Sequence, residues 1–183
     1  AGMAIDLGAI AKGAAAAGAA DVLRDHGVTS GLLMLGGNIT ALGHKPDGTP
    51  WRVAVRDPAD RDSYLCVLSL TDQSASTSGG YERYFEEHGV LYHHIIDPST
   101  GYPAECGLLS VTVVSADDTA ADALSTALFV LGEEGALSLW RASDDFEAIL
   151  IRTDGRVLVT EGLEAVMEFR GDDHGYQYEI VRR

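Results

Sequence analysis

Three stretches of this chain read as helix, and nearly everything else is cut by glycine, proline, serine and aspartate into short apolar runs. That alternation restricts the fold more than any single residue. Residues 8–26 are rich in alanine, the best intrinsic helix former, and Ile10, Ala14, Ala17 and Val22 fall near one face before Gly27, a natural residue just past a helix end. A second helical pattern opens at Asp118-Thr119, with either residue as the cap, and runs through Leu131 to a terminating Gly132; a short helix follows over residues 134–142. Between and after them lie strand-like runs at residues 31–35, 39–42, 51–55, 65–70, 108–114, 146–151 and 157–159, with room for one or two more in residues 166–181. Gly36-Gly37-Asn38 reads as a turn or bulge between the first two, and residues 43–50 with the strand after them read as a hairpin-like pair. The Ser/Thr/Gly-rich residues 73–80 suit a loop or a short strand with close backbone approach. The predicted class is α+β, a mostly antiparallel sheet with a few long helices packed on it, in one compact unit over residues 1–183.

The chain is long enough for such a core. At 183 residues and 46% apolar content it can bury roughly 70% of the surface an unfolded chain exposes. Its 28 acidic and 13 basic residues leave a net charge of −15, which argues against nucleic acid as a partner, because phosphate-backbone affinity comes from lysine and arginine displacing counterions. A phosphate-bearing ligand would need a metal cation or backbone N–H groups to hold it here. Cys66 and Cys106 lie outside any metal or redox spacing and read as two thiols rather than a disulfide. No apolar run approaches the about 18 residues of a membrane span, and the first residues lack the basic and apolar regions of a signal peptide.

Several short strings carry possible chemistry. Asp122 and Thr126 stand four residues apart and so share a helix face, offering a carboxylate and a hydroxyl to a hard cation such as Mg²⁺; the spacing suits equally a first-turn acid and a packed threonine. His94 lies in a strand-like run ending in a Pro-Ser-Thr-Gly turn and can serve as acid, base or ligand-binding group, or as a structural histidine. His93 and His94, adjacent on a strand, face opposite sides and make no metal pair. Ser76-Thr77-Ser78-Gly79 offers hydroxyls and N–H groups to a phosphate without matching a P-loop. Lys12, at a helix start where a cation is unfavourable, hints at contact with an anion.

Taken in order, these strings resemble the ApbE family of flavin transferases. The landmarks are Ile5-Asp6-Leu7-Gly8-Ala9-Ile10-Ala11-Lys12-Gly13, Leu35-Gly36-Gly37-Asn38, His44-Lys45-Pro46-Asp47-Gly48 before Trp51, Ser76-Thr77-Ser78-Gly79, His94-Ile95-Ile96-Asp97-Pro98, and Ala121-Asp122-Ala123-Leu124-Ser125-Thr126. The resemblance implies a T-fold-like architecture, of which this chain holds the C-terminal portion, truncated at its N-terminus. It implies Asp122, Thr126 and a main-chain carbonyl, assigned to Ala11, as ligands of Mg²⁺. It also implies His94 and Asp122 as catalytic residues, and Lys12, Ser76, Thr77, Ser78 and Gly79 beside the flavin nucleotide.

The reaction so implied is Mg²⁺-dependent transfer of FMN from FAD to a threonine hydroxyl of a target flavoprotein, with release of AMP. Two alternatives are an FAD pyrophosphatase giving FMN and AMP, and a non-catalytic flavin-binding module. The resemblance further implies a target subunit in a respiratory complex and an extracytoplasmic location, with a membrane link only through a lipid anchor that this chain does not contain.

Overall fold

The computed structural model describes residues 2–60 and 62–183. Its elements in chain order are α1 (Ala11–Asp25), β1 (Gly31–Leu35), β2 (Asn38–Leu42), β3 (Trp51–Arg56), β4 (Tyr64–Leu70), β5 (Ser74–Gly79), β6 (Tyr84–Glu87), β7 (Val90–His93), β8 (Leu108–Ser115), α2 (Asp118–Arg141), β9 (Phe146–Arg152), β10 (Arg156–Thr160), β11 (Met167–Phe169) and β12 (Gln177–Val181). Seven strands form one sheet in the order β1-β2-β5-β8-β9-β10-β12, antiparallel throughout except for the parallel pair β10 and β12. A second sheet has the order β11-β4-β3, and β6 with β7 forms a separate hairpin. The α+β class predicted from alternating patterns is the class observed.

Strand periodicity divides the core into two. Along β9, Ala148 and Leu150 join Val111, Val113, Leu158, Leu128, Phe129 and Trp140 on the face covered by α2. Ile149 and Ile151 point the other way, into a cluster with Val53, Val55, Leu65, Leu68 and Leu70 of the three-stranded sheet. A strand buried on both faces reads as a continuous apolar run, as Ala148-Ile149-Leu150-Ile151 does. The molecule is thus layered as helices, large sheet and small sheet.

Several local expectations need correction. Asp117, not Asp118 or Thr119, caps α2: its side chain accepts from the amides of Thr119 and Ala120 at 2.8 and 3.0 Å. Residues 43–50 do not close a hairpin. They carry the chain from the large sheet to the small one, where β3 pairs with β4, and Trp51 Nε1 donates to the Leu42 carbonyl across the transition. Of the two forms open to the serine-rich run, residues 74–79 take the short strand, in the sheet interior between β2 and β8. The break at Gly132 is present, with φ 70° and ψ −177°, although both helical segments continue as one kinked rod. Both cysteines are free, and burial pushes the Cys66 thiol up to about 12.

Candidate active site

The site assembles where the first turn of α1 meets α2 and the large sheet. Ile10 stands at the cap position of α1 and has no side-chain oxygen with which to satisfy the helix's first amides. A residue of the other helix does so: the Gly13 amide donates to Asp122 Oδ2 at 2.8 Å. The approach is close enough to demand glycine, because a Cβ on Gly13 would lie 2.3 Å from the Asp118 carbonyl oxygen and 2.7 Å from Asp122 Cβ. The other carboxylate oxygen, Asp122 Oδ1, takes the Lys12 ammonium at 2.8 Å and the Ser76 hydroxyl at 3.3 Å. The Lys12 stem in turn lies against the Gly36-Gly37 turn, where a Cβ on Gly36 would stand 3.0 Å from Lys12 Cδ. Here the unfavourable lysine of the sequence has its anion.

Asp122 is 1% exposed. Burial pushes its carboxyl up, but the neighbouring Asn38 amide, the Lys12 ammonium and the Gly13 N–H together outweigh burial and hold it below the ordinary carboxylate value. It is therefore ionised at neutral pH. Asn38 is also buried, its amide beside the Asp122 carboxylate, and its Oδ1 accepts from Ser76 at 2.8 Å.

A second group of hydroxyls continues from this carboxylate. Ser78 Oγ lies 2.8 Å from Ser125 Oγ and 2.9 Å from Thr126 Oγ1, and Ser125 Oγ donates to the Asp122 carbonyl at 2.8 Å. The pleat of β5 sorts the serine-rich string. Ser76 and Ser78 face α2, whereas Thr77 points to the opposite face and pairs with Thr112 at 2.8 Å. Gly79 permits a tight contact, since a Cβ there would meet the Tyr81 ring at 2.5 Å and the Leu109 carbonyl at 3.0 Å. Ala11 begins α1, one residue before Lys12.

His94 is not hydrogen-bonded into this network among the described residues. It follows β7, exposed, and lines a cleft with Arg83, Tyr84, Phe85, Tyr92 and Ile96. Its Nδ1 sits 3.1 Å from the Arg83 carbonyl, which can only accept, so Nδ1 donates there and Nε2 is the ring nitrogen able to accept a proton. His93 faces inward, its ring edge-on to Phe129 at 5.6 Å and its Nε2 3.2 Å from the Ala104 carbonyl. The opposition of the two histidines matches the strand alternation.

Asn38, Gly13 and Ser125 also belong to the site, though sequence reasoning gave none of them a role in it. The signal for Gly13 was its place beside Lys12; Ser125 adjoins Thr126, and Asn38 ends a glycine turn that looked purely conformational.

The ApbE family's sequence profile matches residues 1–150. The chain belongs to the ApbE family. It is 45% identical over 172 residues to an FAD:protein FMN transferase of Treponema pallidum, covering 89% of this chain and 48% of that protein. It is 40% identical over 177 residues to one of Klebsiella pneumoniae, with 96% and 54% covered. Among solved structures, the ApbE protein of Thermotoga maritima superposes with a TM-score of 0.81 at 37% identity, over 88% of this chain and 53% of that one. The apo flavinyl transferase ApbE of Pseudomonas stutzeri gives 0.74 at 36% identity, over 88% and 51%. This ApbE chain therefore spans about half the length of the curated relatives it matches.

Proposed function

We propose that the protein of which this chain is part transfers FMN from FAD to a threonine hydroxyl of an acceptor protein and releases AMP, with Mg²⁺ at the Asp122 site. The observation that carries this reading is the ionised, buried Asp122 carboxylate, with Lys12 on one oxygen and the first turn of α1 on the other. The donor set suits a hard divalent cation: a carboxylate from Asp122, a hydroxyl from Thr126 and a main-chain carbonyl from Ala11 are all oxygen ligands. When bound, Mg²⁺ would neutralise and orient the pyrophosphate, which is most of what phosphoryl transfer requires.

This chain's residues supply the rest. Lys12 sits where it can share its charge between Asp122 and a phosphate. Ser76 and Ser78 line the same face, with Gly79 at the strand end. Thr77, on the opposite face, acts only by holding β5 to β8 through Thr112. The exposed His94 accepts, at Nε2, the proton of the attacking threonine hydroxyl. Asp122, held between Lys12 and the Gly13 amide, contributes charge and position.

The exposure of His94 favours one second reading, in which water takes the place of threonine and the products are FMN and AMP. By family resemblance the acceptor is a flavoprotein subunit of a respiratory complex, and the full-length protein works outside the cytoplasm on a lipid anchor. Incubation with FAD, Mg²⁺ and a threonine-bearing acceptor, followed by mass spectrometry, separates the readings. Transfer adds an FMN mass to the acceptor; hydrolysis leaves the acceptor unchanged while FMN accumulates. His94→Ala and Asp122→Ala should each abolish the adduct, and wild-type yield in Asp122→Ala would refute the cation site.

A further inference from the structure

Ser125 is fully buried on α2, next to Thr126, and has a single proton to give. Its Oγ lies 2.8 Å from the Asp122 carbonyl oxygen, a group that can only accept, so the proton goes there. Ser78 Oγ is also 2.8 Å from Ser125 Oγ. With the Ser125 proton committed, Ser78 is the donor of that pair. Ser78 then has no proton left for Thr126 Oγ1 at 2.9 Å, so Thr126 donates to Ser78. The opposite direction would leave an unprotonated Ser125 oxygen facing a carbonyl oxygen at hydrogen-bond distance, which is repulsive. Ser76 does not disturb this order. Its own proton goes to Asn38 Oδ1 at 2.8 Å or Asp122 Oδ1 at 3.3 Å, and its contact with Ser125 is long, at 3.4 Å.

The three hydroxyls thus run one way, from Thr126 through Ser78 and Ser125 to a main-chain carbonyl. The Thr126 proton is directed to Ser78, and both lone pairs of the half-buried Thr126 oxygen are left to accept. A cation needs such a lone pair and is repelled by a proton turned toward it. We propose that Ser125 and Ser78 are positioning residues that set the polarity of the Thr126 hydroxyl so that its oxygen can serve as a cation ligand. This inference rests on the reading of Asp122 and Thr126 as the cation's protein ligands.

Mn²⁺ alone, followed by water-proton relaxation, is the probe, with thermal unfolding recorded in parallel. Ser125→Ala frees the Ser78 proton to turn toward Thr126, and Ser78→Ala removes the acceptor for the Thr126 proton. Each variant should weaken Mn²⁺ binding about tenfold, in the range seen when groups that orient metal ligands are removed. The double variant should be no weaker than either single one, because one broken link already releases the chain. Should Ser125→Ala fail to fold, the half-buried Ser78→Ala carries the test. Wild-type affinity in the folded serine variants, with Asp122→Ala having lost Mn²⁺, overturns the hydroxyl chain and leaves the ligands standing. Losses that add in the double variant also overturn it, by giving the two serines separate packing roles. Undiminished binding in Asp122→Ala, or none in the wild type, overturns the ligand assignment and this inference together.

Discussion

Asp122 caps a helix through the Gly13 amide, 109 residues earlier in the sequence, and the same carboxylate holds Lys12. Spacing along α2 could show that it shares a face with Thr126, but not that α1 brings an uncapped amide and an ammonium to it. Asp122→Ala should therefore cost stability as well as activity, about 1–3 kcal/mol in urea unfolding, because it leaves a buried donor unsatisfied. Asp57 makes a comparable cluster that sequence patterns do not reveal. Buried at the end of the small sheet, it accepts from Tyr176 OH at 2.8 Å and pairs with His174 Nδ1 at 2.7 Å. Burial pushes its carboxyl up, but the Ala59 amide, Tyr176 and His174 outweigh burial and hold it below the ordinary value of 3.8. A carboxyl whose folded pKa lies below its unfolded one stabilises the fold above the unfolded pKa, and that contribution disappears as the pH falls through the folded value. Between pH 5 and strongly acid solution the wild type should thus lose more stability than Asp57→Asn, as read by denaturant midpoints; equal losses would remove Asp57 from the account.

The helices and core strands were legible because their periodicities are strong and each face meets a consistent environment. The run Ala148-Ile149-Leu150-Ile151 could hardly be anything but a strand covered on both sides. The β6–β7 hairpin was not legible beyond the strand character near Tyr92: Tyr84, Phe85, Val90 and Leu91 are all exposed, so no alternation marks it, and its stability comes from pairing and the stacked rings of Phe85 and Tyr92 at 5.1 Å. Its turn, His88-Gly89 with φ of 52° and 77°, suits a two-residue hairpin connection. At this scale two glycines make the sharpest predictions. Gly13→Ala should push α1 away from α2, lowering the unfolding midpoint and Mn²⁺ affinity together, since the added carbon lands 2.3 Å from a carbonyl. Gly132→Ala places a side chain at φ 70° and ψ −177°, a region almost reserved for glycine, and should cost about 1–3 kcal/mol in urea unfolding while leaving Mn²⁺ affinity as in the wild type.

Over the whole molecule the net charge of −15 opposes an anionic ligand, and Lys12 is the local exception at the site. If FAD is the ligand, as proposed, its association should therefore quicken as ionic strength rises from about 0.01 M to about 0.1 M, since the screening length falls from about 30 Å to about 10 Å. Stopped-flow measurement of flavin binding gives the sign directly, and slower association in salt would show that local positive charge prevails. The α+β class, the main strands and both helices follow from residue pattern alone, because hydrophobic period is a local property that any burial must respect. Ordered strings also sufficed to place the chain in its family. The packing of the elements adds that Asp122 caps α1 and that, among the described residues, His94 stands apart from the carboxylate. Those facts depend on which donors meet which acceptors across elements far apart in the chain, and no pattern within one element encodes such a meeting.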